Sequence, residues 1–177
     1  QMGSAETVIS TRHKALHINL NPLIYGSIAE IGAGQEVARA FFQAGGASGT
    51  IAKSLSAYDK EVSDAIYGKE ESGRYVARPR LEKMLTREFD KIVGQVKEIR
   101  PTGTTFFAYA NTVAARAYKS TKDCHGWIGI KFQHLVDAAP SKIVLHVRML
   151  DKENQDQQAA LGILGVNLIH AAFNSFR

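Results

Sequence analysis

Gly32 and Gly34 lie in the run IAEIGAGQEVARAFFQAGG, Ile28 to Gly46, which holds the plainest chemistry in the chain. A Gly-Ala-Gly turn leading into an apolar, helix-forming stretch is how a backbone approaches a phosphate group. The first glycine permits a tight turn, and the second lets the phosphate come close to main-chain N–H groups. In the dinucleotide fingerprint G-x-G-x-x-G/A, a third small residue lets the helix pack close to its strand. Here Val37 holds that place and Ala38 falls one position late, so the match is partial. Gln35 follows the turn. Asp59 stands near the distance, about 20 positions on, at which the fingerprint places a carboxylate for a ribose hydroxyl. Lys53 would be a neighbour if the segment between them is a parallel strand. Glu30 and Glu36 oppose this reading, because two carboxylates repel a pyrophosphate. The ordinary alternative is a helix with small residues at a packing contact.

A second group lies on two candidate strands. By alternation Lys131 and Gln133 share one face with Trp127, and His146 and Arg148 share a face of the next strand. If those faces coincide, cations, an imidazole and an amide converge beside an indole able to stack on a base. Such a surface suits a carboxylate, a phosphate or an RNA backbone, and its ordinary alternative is the solvated side of an antiparallel sheet. A third group flanks a polar loop: Asn111 and Arg116 before it, His125 after it. Loops at strand ends often carry function. Cys124 and His125 are adjacent in sequence and point apart in any extended segment, so they do not form a nucleophile–base pair.

His13 and His17 have the spacing of a metal pair on a helix, but their segment reads as extended and no carboxylate completes a ligand set. No metal site is expected. His170 reads as a packed or partner-facing histidine. The pairs Asp59–Glu61 and Glu70–Glu71 read as solvated surface. No G-x-S-x-G, P-loop or zinc-protease pattern occurs, and no catalytic residue is assigned.

These residues need elements to hold them. Leu16 to Leu20 alternate as a short strand, and Asn21-Pro22 follows as a turn or helix start. Beyond it, Ile24, Ile28, Ile31, Ala38, Phe41 and Phe42 fit one long helix ending at Gly45-Gly46. They fit equally a strand over Ser27 to Ile31, a turn over Gly32 to Gly34, and a helix from Gln35. Two glycines cost the single helix about 2 kcal/mol relative to alanine, which favours the break. Thr50 to Ala57 reads as the next strand. Pro79 to Ile99 is the clearest helix, with Leu81, Met84, Leu85, Ile92, Val96 and Ile99 in one stripe. Thr104 to Ala110, Trp127 to Gln133 and Ile143 to Leu150 read as strands, the last two an antiparallel pair. Asn154 to Phe176 is a helix apolar around most of its circumference, which something must cover.

The 177 residues fit one domain able to bury a sizeable core, and 45% hydrophobic with 22% charged residues argues against disorder. A formal charge of +5 permits an acidic partner, but the cations are dispersed and form no basic tail. The single cysteine excludes an internal disulfide and multi-cysteine zinc sites, and points to a cytoplasmic setting. No apolar run approaches the roughly 18 residues of a membrane helix. Residues 1–15 read as a cloning remnant and flexible lead, and 16–177 as one domain cut from a longer protein.

Three segments carry a resemblance: Leu16–Gly26 (LHINLNPLIYG), Ala29–Arg39 (AEIGAGQEVAR) and Gln157–Ile169 (QQAALGILGVNLI). Together they resemble the N-terminal part of a bacterial protein family with no established activity. That resemblance implies a longer parent chain and a bacterial-type cytosolic setting. The H-x-G-H signature of adenylyltransferases is absent, so no catalytic residue is carried over.

The expected fold is α/β or α+β, a mixed sheet of about four to five strands with at least three packed helices and an antiparallel C-terminal strand group. The expected function is binding of a nucleotide or other phosphate-bearing small molecule by a cytosolic domain, through Gly32, Gly34, Gln35, Lys53 and Asp59. A nucleotide is the only cofactor implied. The alternatives are an assembly module that uses the last helix against the rest of its chain or a second copy, and RNA binding through the basic sheet face. No membrane partner is expected.

Overall fold

Leu16 to Asn19 are helical, not extended, and Leu20 caps that helix, which corrects the alternation reading. The computed structural model describes residues 9–32, 34–114 and 124–174. Its first element is α1, Thr11–Asn19, which begins ahead of residue 16. Ser10 caps it by accepting a hydrogen bond from the His13 N–H. Leu16, Ile18 and Leu20 alternate, but Ala15, Ile18 and Asn19 are the buried positions, which is helical spacing. Asn19 then ties the chain down: its amide donates to the Phe41 and Gly45 carbonyls at 2.9 and 2.8 Å.

The chain breaks at Gly32, as the cost of glycine in a helix favours. Strand β1 spans Ile24–Ile31, and helix α2 spans Glu36–Ala44. Gly32 has φ +94°, and a Cβ there would lie 2.1 Å from the Val113 carbonyl oxygen, so only glycine fits. A short 3₁₀ turn, Ala47–Gly49, leads into β2, Ile51–Ala57. Helix α3, Lys60–Tyr67, follows, with the Asp59 carboxylate accepting from the N–H groups of Glu61 and Val62. Helix α4, Arg78–Val96, carries the expected stripe, with Leu81, Met84, Leu85 and Ile92 buried and Ile99 exposed beyond its end. Then come β3 (Thr105–Val113), β4 (Cys124–Phe132), β5 (Ser141–Met149) and α5 (Asn154–Asn174).

The five strands form one mixed sheet in the order β2-β1-β3-β4-β5. β1 pairs in parallel with β2 and β3, while β3–β4 and β4–β5 are antiparallel. The architecture is the expected α/β one, with an antiparallel C-terminal strand group. α1, α2 and α5 cover one face, where Ile28, Val37, Phe41, Phe107, Tyr109, Ile130, Val166 and Ile169 share a core. α4, with α3 behind it, covers the other, where Ala29, Ile31, Tyr67, Leu81, Leu85 and Ala110 cluster.

The apolar last helix is covered largely from within the chain. Gly162 and Gly165 let it lie close to α2: a Cβ on Gly165 would stand 2.3 Å from a Val37 methyl and 2.7 Å from the Tyr109 hydroxyl. Ile163 and Leu164 stay partly exposed. Glu70 is a second correction. It is not solvated surface but lies in a network centred on Arg80, whose side chain is fully buried. Arg80 donates to Ser63, Asp64, Glu70 and the Gly68 carbonyl, fastening α3 and its following loop to α4.

Candidate functional site

Ile31 stands level with Ala57 on one side and Thr112 on the other, so three parallel strands end at one edge of the sheet. From that edge the chain leaves β1 toward α2 and β2, while β3 lies on the opposite side of β1. A doubly wound sheet opens a crevice where its strand order reverses in this way, and ligands bind there. Gly32, Gly34 and Gln35 follow β1 at that edge, and Tyr58 and Asp59 follow β2. Gly34 is buried with φ +93°, and a methyl placed on it would stand 3.6 Å from both the Tyr58 hydroxyl and the Gln158 carboxamide of α5. Tyr58 itself is 62% exposed, which leaves its ring open to a ligand.

The floor of the site is Glu30, 1% exposed on β1. Its two carboxylate oxygens accept from the N–H groups of Val37 and Ala38 at 3.2 and 3.3 Å, so the side chain caps α2 from below. Asn111, on the neighbouring strand, donates to the same carboxylate at 3.1 Å and to the Tyr109 hydroxyl at 3.3 Å. The Asn111 side-chain oxygen is buried with no hydrogen-bond partner among the described residues. Burial drives the Glu30 carboxyl up to about 7; the bonds from Ala38, Asn111 and Val37 pull it back, and the charge of Glu36 adds to the rise. Burial also pushes the Tyr109 hydroxyl far above its ordinary range, with the Glu30 charge adding to it. The end of α2 that a Rossmann-type turn offers to phosphate is thus already filled by a carboxylate.

The sequence-derived residues fall into separate groups. Gly32, Gly34, Gln35 and Asp59 all follow the ends of β1 and β2 at this edge. Lys53 does not. It pairs with Ser27, well before the edge, and its amine meets the Glu88 carboxylate at 2.5 Å on the α4 face. Asp59 is exposed, but its carboxylate is engaged as the cap of α3. Asn111 belongs to the floor rather than to a loop, and Arg116 lies outside the described residues.

The polar sheet face is real only at one end. Trp127 stands opposite His146 and His125 opposite Arg148, with ring centroids 4.9 Å apart for Trp127–His146 and 5.6 Å for His125–His146. Lys131 lies instead over the Phe89 ring of α4 at 5.5 Å. Gln133 is buried, accepting from the Phe106 N–H and donating to the Ala138 carbonyl. Cys124 points into the core, donates to the Ala114 carbonyl, and has its thiol pushed up by burial. His125 faces the other way and is exposed, so the two make no pair.

The premise used against His13 and His17 is overturned, since both lie on helix α1. His13 bonds Ser10, and His17 meets His170 of α5 at 3.4 Å. Burial, then His17 and Lys14, hold His170 below its ordinary value. Among the described residues no group of three metal-ligating side chains occurs.

Tyr58, Gln158 and Tyr109 escaped the sequence reading. Only Glu30 left a signal, a carboxylate within the apolar run SIAEI beside the glycine turn.

No family model matches the chain, and no curated protein matches it in sequence. Solved structures do match in fold. The competence/damage inducible protein CihA from Agrobacterium tumefaciens is 18% identical with a TM-score of 0.63, covering 92% of this chain and 94% of its own. A competence or damage-inducible protein from Enterobacter asburiae is 10% identical with a TM-score of 0.64, covering 94% and 100%. A competence-damaged protein (CinA) superfamily protein from Enterobacter cloacae is 10% identical with a TM-score of 0.65, covering 96% of each chain. Across nearly its whole length, this chain has the fold of the CinA-type proteins.

Proposed function

We propose that this chain is a small-molecule-binding domain that receives a nucleotide or similar phosphate-bearing ligand at the carboxyl edge of β1, β2 and β3. The observation that carries the reading is the reversal of strand order at β1, with two positive-φ glycines after that strand and the Tyr58 hydroxyl and Gln158 carboxamide both close to Gly34. Glu30 sets where the phosphate goes. Four N–H groups lead a helix without helical partners, and Glu30 takes those of Val37 and Ala38. The phosphate meets those of Gln35 and Glu36, one step outward, and Tyr58 provides a stacking surface beside it.

The test is a thermal-shift panel of nucleotides and dinucleotides. A binder at 100 times its Kd adds about 2.7 kcal/mol, which raises Tm by roughly 5–10 °C in a chain of this size. Gly34→Val abolishes the shift by closing the approach. Tyr58→Ala also abolishes it, and leaves the unliganded Tm almost unchanged because the ring is mostly exposed. A flat panel removes this reading.

A second reading, an assembly module working with a second copy or with further parts of its own chain, has one observation in its favour. Ile163 and Leu164 of α5 are 47% and 38% exposed side by side. The single reduced thiol supports a cytosolic setting for either reading.

A further inference from the structure

Strand β5 ends the sheet, and among the described residues no strand pairs with its outer side. An edge of nine residues leaves a row of backbone donors and acceptors able to take another strand. The ionisable side chains of β5 are Lys142, His146 and Arg148, all basic and all in the same alternating set. The other set holds Ile143, Leu145 and Val147, of which Leu145 is 43% exposed. Beside the basic set, on the α4 face, lies an open cavity of about 570 Å³ whose lining includes Lys83, Arg87 and Lys142 along with Glu82.

We propose that β5 is a docking edge for an extended acidic segment of another protein, which adds a sixth strand with acidic and apolar residues in alternation. Its acidic side chains lie on the α4 face, against Lys142, His146 and Arg148 and over the cavity. Its apolar side chains lie beside Leu145 on the other face. This is β-augmentation, in which main-chain bonds give affinity and alternate side chains give specificity.

Charge selects this occupant over a second copy of the chain. Antiparallel self-pairing about Leu145 sets Lys142 of each copy against Arg148 of the other. That register, centred on the middle of the strand, is the one that pairs all nine of its residues. Like charges directly opposite are destabilising, so the pattern that repels a copy attracts an acidic strand.

The experiment uses the full chain with a peptide alternating glutamate and valine, read by fluorescence anisotropy and by amide hydrogen exchange. Binding protects β5 amides, weakens as salt rises, and falls at least about tenfold in the Lys142→Glu/Arg148→Glu variant. The same variant gains binding to a lysine–valine peptide, which shows that it is folded. A glutamate–valine peptide N-methylated at alternate residues does not bind. Four results overturn the proposal: no binding, binding that survives N-methylation, preference for an RNA oligonucleotide over the peptide, or self-association of the wild-type chain through β5.

Discussion

Glu30 shows how one side chain changes what a motif can do. The glycine turn beside it invites an anion, yet a carboxylate already occupies two of the N–H groups that would receive it. Its carboxyl is raised from 4.5 to about 7, chiefly by burial. The folded chain therefore keeps a proton that the unfolded chain releases near 4.5. This stabilising contribution is full below that value and is lost as pH rises through about 7. Between pH 5 and 8 the folded state loses roughly 2–3 kcal/mol from this group. Urea unfolding of Glu30→Gln at both pH values checks this: the amide removes the titration, so the variant's stability falls less over that interval by about that amount. Arg80 is the opposite case, a buried cation whose partners are supplied in full. Arg80→Met takes the guanidinium from Asp64, leaves Glu70 with Lys83 alone, and lowers stability by about 3–5 kcal/mol, measured the same way. Glu30 left a signal in sequence, a carboxylate in the apolar run beside the glycine turn, and Arg80 left none. Nothing in the stripe of α4 singled Arg80 out, because its partners come from α3 and the loop after it.

At the level of elements, local signals fixed most of the order. Prolines and glycines marked the ends of α4, the break after β1 and the close of α2, and alternation marked β4 and β5. The failures have physical causes. Leu16 to Leu20 alternate, but the Ser10 cap and the burial of Ala15, Ile18 and Asn19 favour a helix. α3 is short and polar, and it is held by Asp59 and Arg80, so no stripe announced it. α5 was legible as a helix, but its cover was not, because the residues that cover it lie far away in sequence. Its close approach to α2 rests on Gly165. Gly165→Val drives a branched side chain into Val37 and Tyr109, and thermal unfolding should register a loss of about 2–4 kcal/mol.

For the whole molecule, the parallel β1–α2–β2 unit and the antiparallel β3–β4–β5 group make one mixed sheet with helices on both faces. That plan was expected from the order of periodicities, because a strand–helix–strand start and a hairpin-linked end allow few arrangements. What the order could not give was which loops share an edge. The sheet sets Gly32, Gly34, Gln35 and Asp59 after the carboxyl ends of β1 and β2, and it sends Lys53 to the other face with Glu88. It also brings Tyr58 and Gln158, distant in sequence, both close to Gly34. The CinA-type neighbours share this arrangement of strands and helices, and at their low identity they speak to the fold alone. The central claim, that this edge binds a nucleotide-like ligand, is tested most directly by the melting temperature with each member of a nucleotide panel, for the wild type and Tyr58→Ala. A rise of several degrees with one ligand class is expected in the wild type, and none in the variant. An unchanged melting temperature across the panel, or an equal rise in both proteins, would contradict it.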